Sequence, residues 1–435
     1  MKVNMAAVNK MHAIGLNLEV ISLTLILFSF EPMSGLSRTL HSQYNPGCPS
    51  SICNYHNGSH INLLHTTAAA KKDEMHYVVS SIGTPSMLVA RTKPNTKMYI
   101  NWDDLVSKNT SVTTKSIKFV PRPHYVYAVL ISKLILYNDT DDKANVSLAF
   151  PNATLNYNFA DFLWQNSDYA GTVNETENYI NFTATAYKGP QELDFMKNGS
   201  ISMKFQIFGQ KGRNSQLPHL DQTANSTQFD LTIYNWNTTY TQPRFALQFT
   251  MLAQTVKHTE MNISSYSNID DEQTPGVFQV VDWTSEGKNQ TVGAYLQWKP
   301  VCYTSTPRDM QSATKASSYH LKERNMTTEE LKSIVYAYYG LEMTGSNVTA
   351  RTTNISFGLP HDKFYTNTYY ASWSVMIGYG SPPQGHVSLT IILVIAIGLG
   401  LPAVIIIFGG IAVCIKRRRD RTRGYTSITS NSINS

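Results

Sequence analysis

The chain has 435 residues, 36 Lys+Arg against 30 Asp+Glu, and a formal net charge of +6. Only 15% of residues are charged, while 42% are hydrophobic and 11% aromatic. That excludes a disordered acidic or basic protein, which needs high charge and few aromatics. Four cysteines are too few to staple a chain of this length, so it is not a small disulfide scaffold. Length alone suggests roughly two or three domains.

In chain order, Lys2 and Lys10 precede the apolar run Val20–Phe30, followed by the small residues Ser34 and Gly35. The run has signal-peptide length and is too short to span a bilayer. Residues 1–35 therefore read as a signal peptide. After it, period-two patterning dominates. Candidate strands are Lys97–Trp102, Ser116–Val120, Val126–Tyr137, Val146–Phe150, Tyr179–Tyr187, Ser202–Phe208, Gln228–Tyr234, Phe245–Met251, Val277–Trp283, Ala294–Trp298 and Ile355–Leu359. Short runs rich in Tyr, Phe, Val, Ile and Thr, separated by Asn, Gly, Asp and Pro, indicate a mainly β chain built as a sandwich or barrel.

The polar stretch 211–227 lacks a strand pattern and contains Pro218. It reads either as a linker between β-rich domains at 36–210 and 228–386, or as a loop inside one domain. One helix is expected: Thr327 and Glu330 form a capping box, Leu331, Ile334, Val335 and Tyr338 share a face, and Gly340 ends it. Cys48 and Cys53 could close a small loop, or one of them could reach Cys302. Cys414 could be a buried thiol or a palmitoylation site.

Residues 387–415 contain no charged side chain, which is long enough for one membrane helix with room for tilt. Lys416–Arg423 follows at once with six bases and one acid. Basic residues beside a span mark its cytosolic side, so the pattern implies a single-span type I protein with residues 416–435 in the cytosol. Positive charge confined to this tail also argues against a nucleic-acid partner. Within the span, Ala396, Gly400, Ala403 and Gly410 fall on one helical face, where another membrane helix could approach closely. In the tail, Gly424, Tyr425 and Ile428 have the form of a tyrosine sorting signal. Presented as an extended peptide, it would suit a clathrin adaptor.

Fifteen Asn-x-Ser/Thr sequons lie outside the signal, span and tail: Asn57, Asn109, Asn138, Asn145, Asn152, Asn174, Asn181, Asn198, Asn225, Asn237, Asn262, Asn289, Asn325, Asn347 and Asn354. Between residues 57 and 354 there are 25 Asn, of which chance would place roughly four in sequons. A coat this dense supplies the hydration that a weakly charged body lacks, and it covers backbone that a protease must thread through its cleft.

No catalytic constellation stands out. Asp270–Glu272 ahead of Pro275-Gly276 reads as a solvated turn, and Asp103-Asp104 and Asp141-Asp142 have the same plain explanation. The 12 His show no metalloprotease or metal-finger spacing, and there is neither a nucleophile elbow nor a phosphate-cradling glycine loop. No metal, cofactor or enzymatic activity is expected.

Several segments together resemble the glycosylated lysosomal membrane protein family. They are His76–Gly83, Ala160–Trp164, Ile269–Glu272 with Gly276–Phe278, Gln297–Val301, and Ala371–Pro383 leading into the span. The resemblance runs from about residue 75 to the C-terminus. It implies a heavily N-glycosylated type I protein of the lysosomal membrane with a β-rich luminal part. It also implies a non-enzymatic role as accessory subunit of a lysosomal major-facilitator transporter that exports dipeptides, shielding it from luminal proteases. The luminal cysteines depart from the family's disulfide-bonded set, so no pairing is carried over. Competing readings are a luminal hydrolase and a glycocalyx or adhesion protein without a dedicated partner.

Overall fold

The computed structural model describes residues 36–53, 61–107, 115–170, 176–189, 198–255, 260–268, 279–285, 292–323, 327, 330–344, 347–384 and 396–426. The expected signal peptide lies outside them. Among the described residues all strand pairings are antiparallel. Strands β1 (Thr39–Tyr44), β2 (Leu63–Ala69), β3 (Glu74–Ser80) and β4 (Ser86–Thr92) are successive neighbours. Between β1 and β2 a helical turn, α1 (Ser50–Cys53), carries a Cys48–Cys53 disulfide, which leaves Cys302 as a buried thiol. The hairpin of β5 (Lys97–Ile100) and β6 (Ile117–Val120), with helix α2 (Trp102–Val106) between its strands, stands off the sheet. Strand β7 (Tyr125–Asn138) then pairs with β4 and, farther along the same edge, with β8 (Thr154–Asn158).

A second sheet begins with β9 (Phe162–Ala170), β10 (Glu177–Tyr187) and β11 (Ser200–Phe208). After a two-residue ladder of β12 (Gly212–Arg213) and β13 (Asp221–Gln222), β14 (Ser226–Tyr234) pairs with β11. Strand β15 (Pro243–Gln254) crosses back to lie beside β7. Strands β16 (Asn262–Ser267), β17 (Gln279–Thr284), β18 (Ala294–Trp298) and β19 (Val301–Tyr303) return to the second sheet. Strand β20 (Ala313–Ser318) pairs with both β19 and β21 (Val348–Phe357), joining the two sheets through hydrogen bonds. β21 lies beside β15, and β22 (Tyr370–Tyr379) fits between β14 and β18.

The two sheets face each other across one core. Alternate residues of β3 (Met75, Tyr77, Val79), β7 (Tyr127, Val129, Ile131), β14 (Phe229, Leu231, Ile233) and β22 (Trp373, Val375, Ile377) point into it. Rings cross the gap edge to face. Phe229 lies 5.5 Å from Phe249, and Phe249 lies 5.6 Å from Trp373. Residues from both sides of 211–227 fill this core, and that segment merely links β11 to β14, its hydrogen-bonded neighbour. The expected division into 36–210 and 228–386 therefore does not hold, because β7–β15 and β11–β14 pair across it.

The first sheet is buried on its outer face too. Val78, Leu88, Ala90, Val126, Ala128 and Leu130 form a second cluster beneath Trp102, Leu105, Ile117 and Phe119, together with helix α3 (Ile334–Tyr339). At Ser132 the pairing with β15 skips one residue, so Ile131 and Leu134 both face the main core. The Ser132 hydroxyl donates to the buried Glu330 carboxylate at 2.5 Å. Glu330 also accepts from the Thr327 N–H at 2.8 Å, and its own N–H donates to the Thr327 hydroxyl at 3.4 Å, which are the two bonds of the expected capping box. The helix does not run unbroken from there. A 3-10 turn at Glu330–Lys332 gives way to α3, which has its own cap at Ser333 and ends at Gly340 with φ +59°. Gly83, at φ +64°, lets the β3–β4 turn reach this region: a Cβ there would clash with the Lys332 carbonyl oxygen.

Val146–Phe150 was expected as a strand and is not one. The Asn145 side chain caps a 3-10 turn at Val146–Leu148, and Pro151 follows. Helix α4 (Leu401–Thr426) follows a π-helical turn, Ala396–Gly400. Among the described residues no helix is long and apolar enough to cross a membrane. The described helix is uncharged only over Leu401–Ile415 before Lys416 begins its polar half, and 387–395 of the expected span lie outside the described residues.

Loops at one end are tied by a buried cation. Arg244 of β15, 4% exposed, donates through Nη2 to Asp142 and the Leu359 carbonyl, both at 2.8 Å, and through Nη1 to Asp362 at 2.9 Å. Its Nε donates to the equally buried Asp139. Losing the guanidinium would strand Asp139 without a counter-charge in a dry site. Arg244→Met is expected to lower the unfolding free energy of the purified full-length chain by about 3–5 kcal/mol. The measurement is the denaturant midpoint at unchanged slope.

Candidate functional site

Ten of the fifteen sequon asparagines fall on described residues, and none of the ten is buried. Asn152, Asn198, Asn237, Asn262 and Asn347 are exposed, while Asn138, Asn145, Asn181, Asn225 and Asn354 are half-buried. Asn57, Asn109, Asn174, Asn289 and Asn325 lie outside the described residues, as do Ile269–Glu272 and Gly276–Phe278.

The half-buried five share a chemical feature. Each is engaged through Oδ1: Asn138 accepts from the Gln242 N–H, Asn145 from the Ser147 N–H, Asn181 from the Ser202 hydroxyl, Asn225 from Arg38 Nε and Asn354 from Gln248 Nε2. A glycan replaces a hydrogen on Nδ2 and leaves Oδ1 able to accept, so these bonds survive the modification. Asparagines outside sequons behave differently. Asn62 and Asn178, both fully buried, donate through Nδ2: Asn62 to the Ser81 hydroxyl and the Trp164 carbonyl, Asn178 to the Ser42 hydroxyl. Among the described residues, the difference between the two groups lies at Nδ2, which donates in these asparagines outside sequons and is left unused in the half-buried sequon five.

The paired acids are structural. Asp103 and Asp104 occupy the first turn of α2 behind the Asn101 cap, where carboxylates favour the helix N-terminus. Asp142 binds Arg244 and His361, and Asp141 pairs with Lys143 at 3.1 Å. Among the described residues no group of three or more His, Cys, Asp or Glu is placed to hold a metal ion.

The described segments that carry the family resemblance contribute buried side chains. Gln297 and Trp298 of β18 lie beside β22, where Trp298 meets the Trp373 ring edge-on at 6.1 Å. Trp164 is buried with its indole N–H on the Phe159 carbonyl, and His76 is buried against Phe119. Beyond β22 the chain is clamped. Gly380 N–H donates to the Gly293 carbonyl at 2.8 Å, and Gln297 Nε2 donates to both Asp282 and the Pro383 carbonyl at 2.9 Å. Beside this clamp lies a cavity of about 420 Å³ lined by Asn262, Ser264, Tyr266, Asp282, Thr284 and residues 380–382. Sequence reasoning missed Asp282, because a single acid inside a strand has no local signature.

The expected stripe of small residues is divided. Ala403 and Gly410 share a face of α4, and a Cβ at Gly400 or Gly410 would meet nothing within 4 Å. Ala396 and Gly400, however, belong to the π turn. Gly424 and Tyr425 lie in the last turn of α4, and Ile428 is outside the described residues. Presenting Tyr425 as extended peptide requires that turn to unwind.

Burial pushes the Asp282 carboxyl up from 3.8 to about 6, with the hydrogen bond from Gln297 pulling the other way. The folded chain thus holds this proton more tightly than the unfolded chain. The associated stability is complete below the unfolded value and is lost as pH rises through the folded one. Asp282→Asn is expected to raise the unfolding midpoint at neutral pH relative to the parent. The gain should shrink towards zero as pH falls below that window, as read by thermal unfolding across a pH series.

A family model described as "Glycosylated lysosomal membrane protein" matches residues 62–420. Glycosylated lysosomal membrane protein A of Xenopus laevis is 30% identical over 390 residues, covering 88% of this chain and 91% of its own. The protein of that name in Danio rerio is 28% identical over 374 residues, covering 85% and 87%, and the one in Homo sapiens is 26% identical over 367 residues, covering 82% and 85%. With the match running through both sheets and into the C-terminal helix, the chain belongs to the glycosylated lysosomal membrane protein family.

Proposed function

We propose that the chain is a heavily N-glycosylated type I protein of the lysosomal membrane, a protective accessory subunit and not an enzyme. In this reading the β body is luminal, residues 387–415 cross the bilayer and 416–435 are cytosolic. The partner is a lysosomal major-facilitator transporter of dipeptides, which the sugar-coated body shields from luminal proteases.

The observation that carries the reading is the use of the asparagine amides. Among the described residues the half-buried sequon asparagines are engaged through Oδ1, while the Nδ2 donors are asparagines outside sequons, such as Asn45, Asn62, Asn178 and Asn235. A fold that spares this one atom at half-buried sites accommodates a coat. The C-terminal helix supports the anchor, because Val404, Ile405, Ile406, Ile407, Phe408 and Ile411 are all at least half exposed. A helix that is apolar all round needs lipid or protein about it. Ala403 and Gly410 offer a close-approach face to a transporter helix.

Removing this chain from cells is expected to deplete a polytopic lysosomal partner, and inhibiting lysosomal proteases should restore it. Unchanged partner abundance in lysosomal membranes would overturn the accessory role. For delivery, Tyr425→Ala is expected to shift the protein from lysosomes to the plasma membrane, scored by surface biotinylation.

A further inference from the structure

We propose that the cavity beside the C-terminal clamp is a carbohydrate seat for the chain's own glycan, with the first sugars on Asn262 lying in it. This rests on the reading of a glycosylated body given above and adds a specific site to it.

The strand geometry creates the seat. Alternation along β16 places Asn262, Ser264 and Tyr266 on one side, and the antiparallel register sets Asn262 opposite Thr284 and Ser264 opposite Asp282. All five line one cavity, whose far wall is formed by Gly293, Ala294 and the chain leaving β22. Its volume, about 420 Å³, falls in the range of small-molecule sites. A pyranose offers hydroxyls at its edge and C–H groups on its faces. The cavity answers with three hydroxyls and a carboxylate on one side and with Val292, Ala294 and Pro382 on the other.

One polar group there lacks a partner from the protein, and a carboxylate lines the same space. The Tyr266 hydroxyl is buried and makes no hydrogen bond in the structure. Asp282, 6% exposed, is held in place by Gln297 from the side away from β16. A sugar hydroxyl between them would donate to the carboxylate and accept from the phenol. Asn262 itself is exposed at the mouth, so a sugar on its Nδ2 is tethered to the cavity. Tethering makes the local concentration high, and weak sugar contacts suffice for occupancy. Transfer of the glycan precedes folding of β16, so the closed geometry is no obstacle to its attachment.

The test is site-resolved release of glycans from the full-length protein in detergent, using peptide N-glycosidase in ¹⁸O water followed by peptide mapping. In the folded protein the Asn262 glycan is expected to leave at least about tenfold more slowly than those on Asn152, Asn237 and Asn347, a difference that contacts worth a few hydrogen bonds can supply. Unfolding should abolish the difference. The Asn262 glycan is also expected to remain high-mannose where the exposed sites are processed. Tyr266→Phe and Asp282→Asn, tested separately, should each speed its release while leaving the other sites unchanged. Equal release rates in the folded parent would overturn the proposal. So would a bare Asn262 among occupied sequons, which leaves the coat intact. Bare sequons throughout would overturn the coat itself.

Discussion

Strand β7 is buried on both faces, and the pairing of β7 with β15 is the contact on which the rest depends. Its odd-numbered residues Tyr127, Val129 and Ile131 enter the core between the sheets, while Val126, Ala128 and Leu130 enter the outer cluster. β15 arrives from the far half of the chain to hydrogen-bond with almost its whole length. Closing that pair brings together segments more than a hundred residues apart, so neither half can complete a core alone. It also fixes the phase at Ser132. The bulge that returns Leu134 and Leu136 to the inner core sends the Ser132 hydroxyl outward to Glu330, where it meets the turn that starts α3.

The same arrangement explains how so few charges are deployed. Among the described residues the two buried arginines are engaged: Arg244 holds three carboxylates, and Arg38 pairs with Asp73 while also reaching Asn225. Ionic groups spent on interior connections are not available for surface solvation. The surface is instead left to amides, hydroxyls and, in the proposed function, sugars. Arg38 shows the two roles meeting in one contact, because its Nε is satisfied by the Oδ1 of a sequon asparagine whose Nδ2 can carry a glycan.

Strands that keep one face in water are legible by their period of two, and β7, β15 and β18, buried on both faces, are legible as runs of apolar and aromatic residues. β10, β11 and β14 alternate and were recognised within a few residues. β2, β3 and β4 are covered on both faces, so LLHTTAA, EMHYVVS and SMLVART show no period of two and were passed over. β22 escaped for the same reason, although ASWSVMIGY was singled out by resemblance. Val146–Phe150 failed in the opposite direction, alternating well but carrying an asparagine cap and a following proline that bend it into a turn. Sequons were fully readable because they are local patterns. Asp282, Arg244 and the clamp at Pro383 were not, since each gains its meaning from partners that only the fold brings near.

The positions of the sequons relative to the sheet edges bear on what a coat can do. Among the described residues β16 pairs only with β17 and β8 only with β7, which leaves each with an open edge. Asn262 is the first residue of β16, and Asn152 stands two residues before β8 begins. Open edges are where a sheet accepts a foreign strand and where local fraying starts. A protease needs both events, because it binds its substrate as an extended strand. Bulky sugars at the entry of an edge strand oppose the docking sterically, and the β7–β15 pairing opposes the fraying by tying both halves into one cooperative unit. In the proposed function, resistance to cleavage would then come from two sources that fail independently, a sugar at the edge and the long-range pairing behind it.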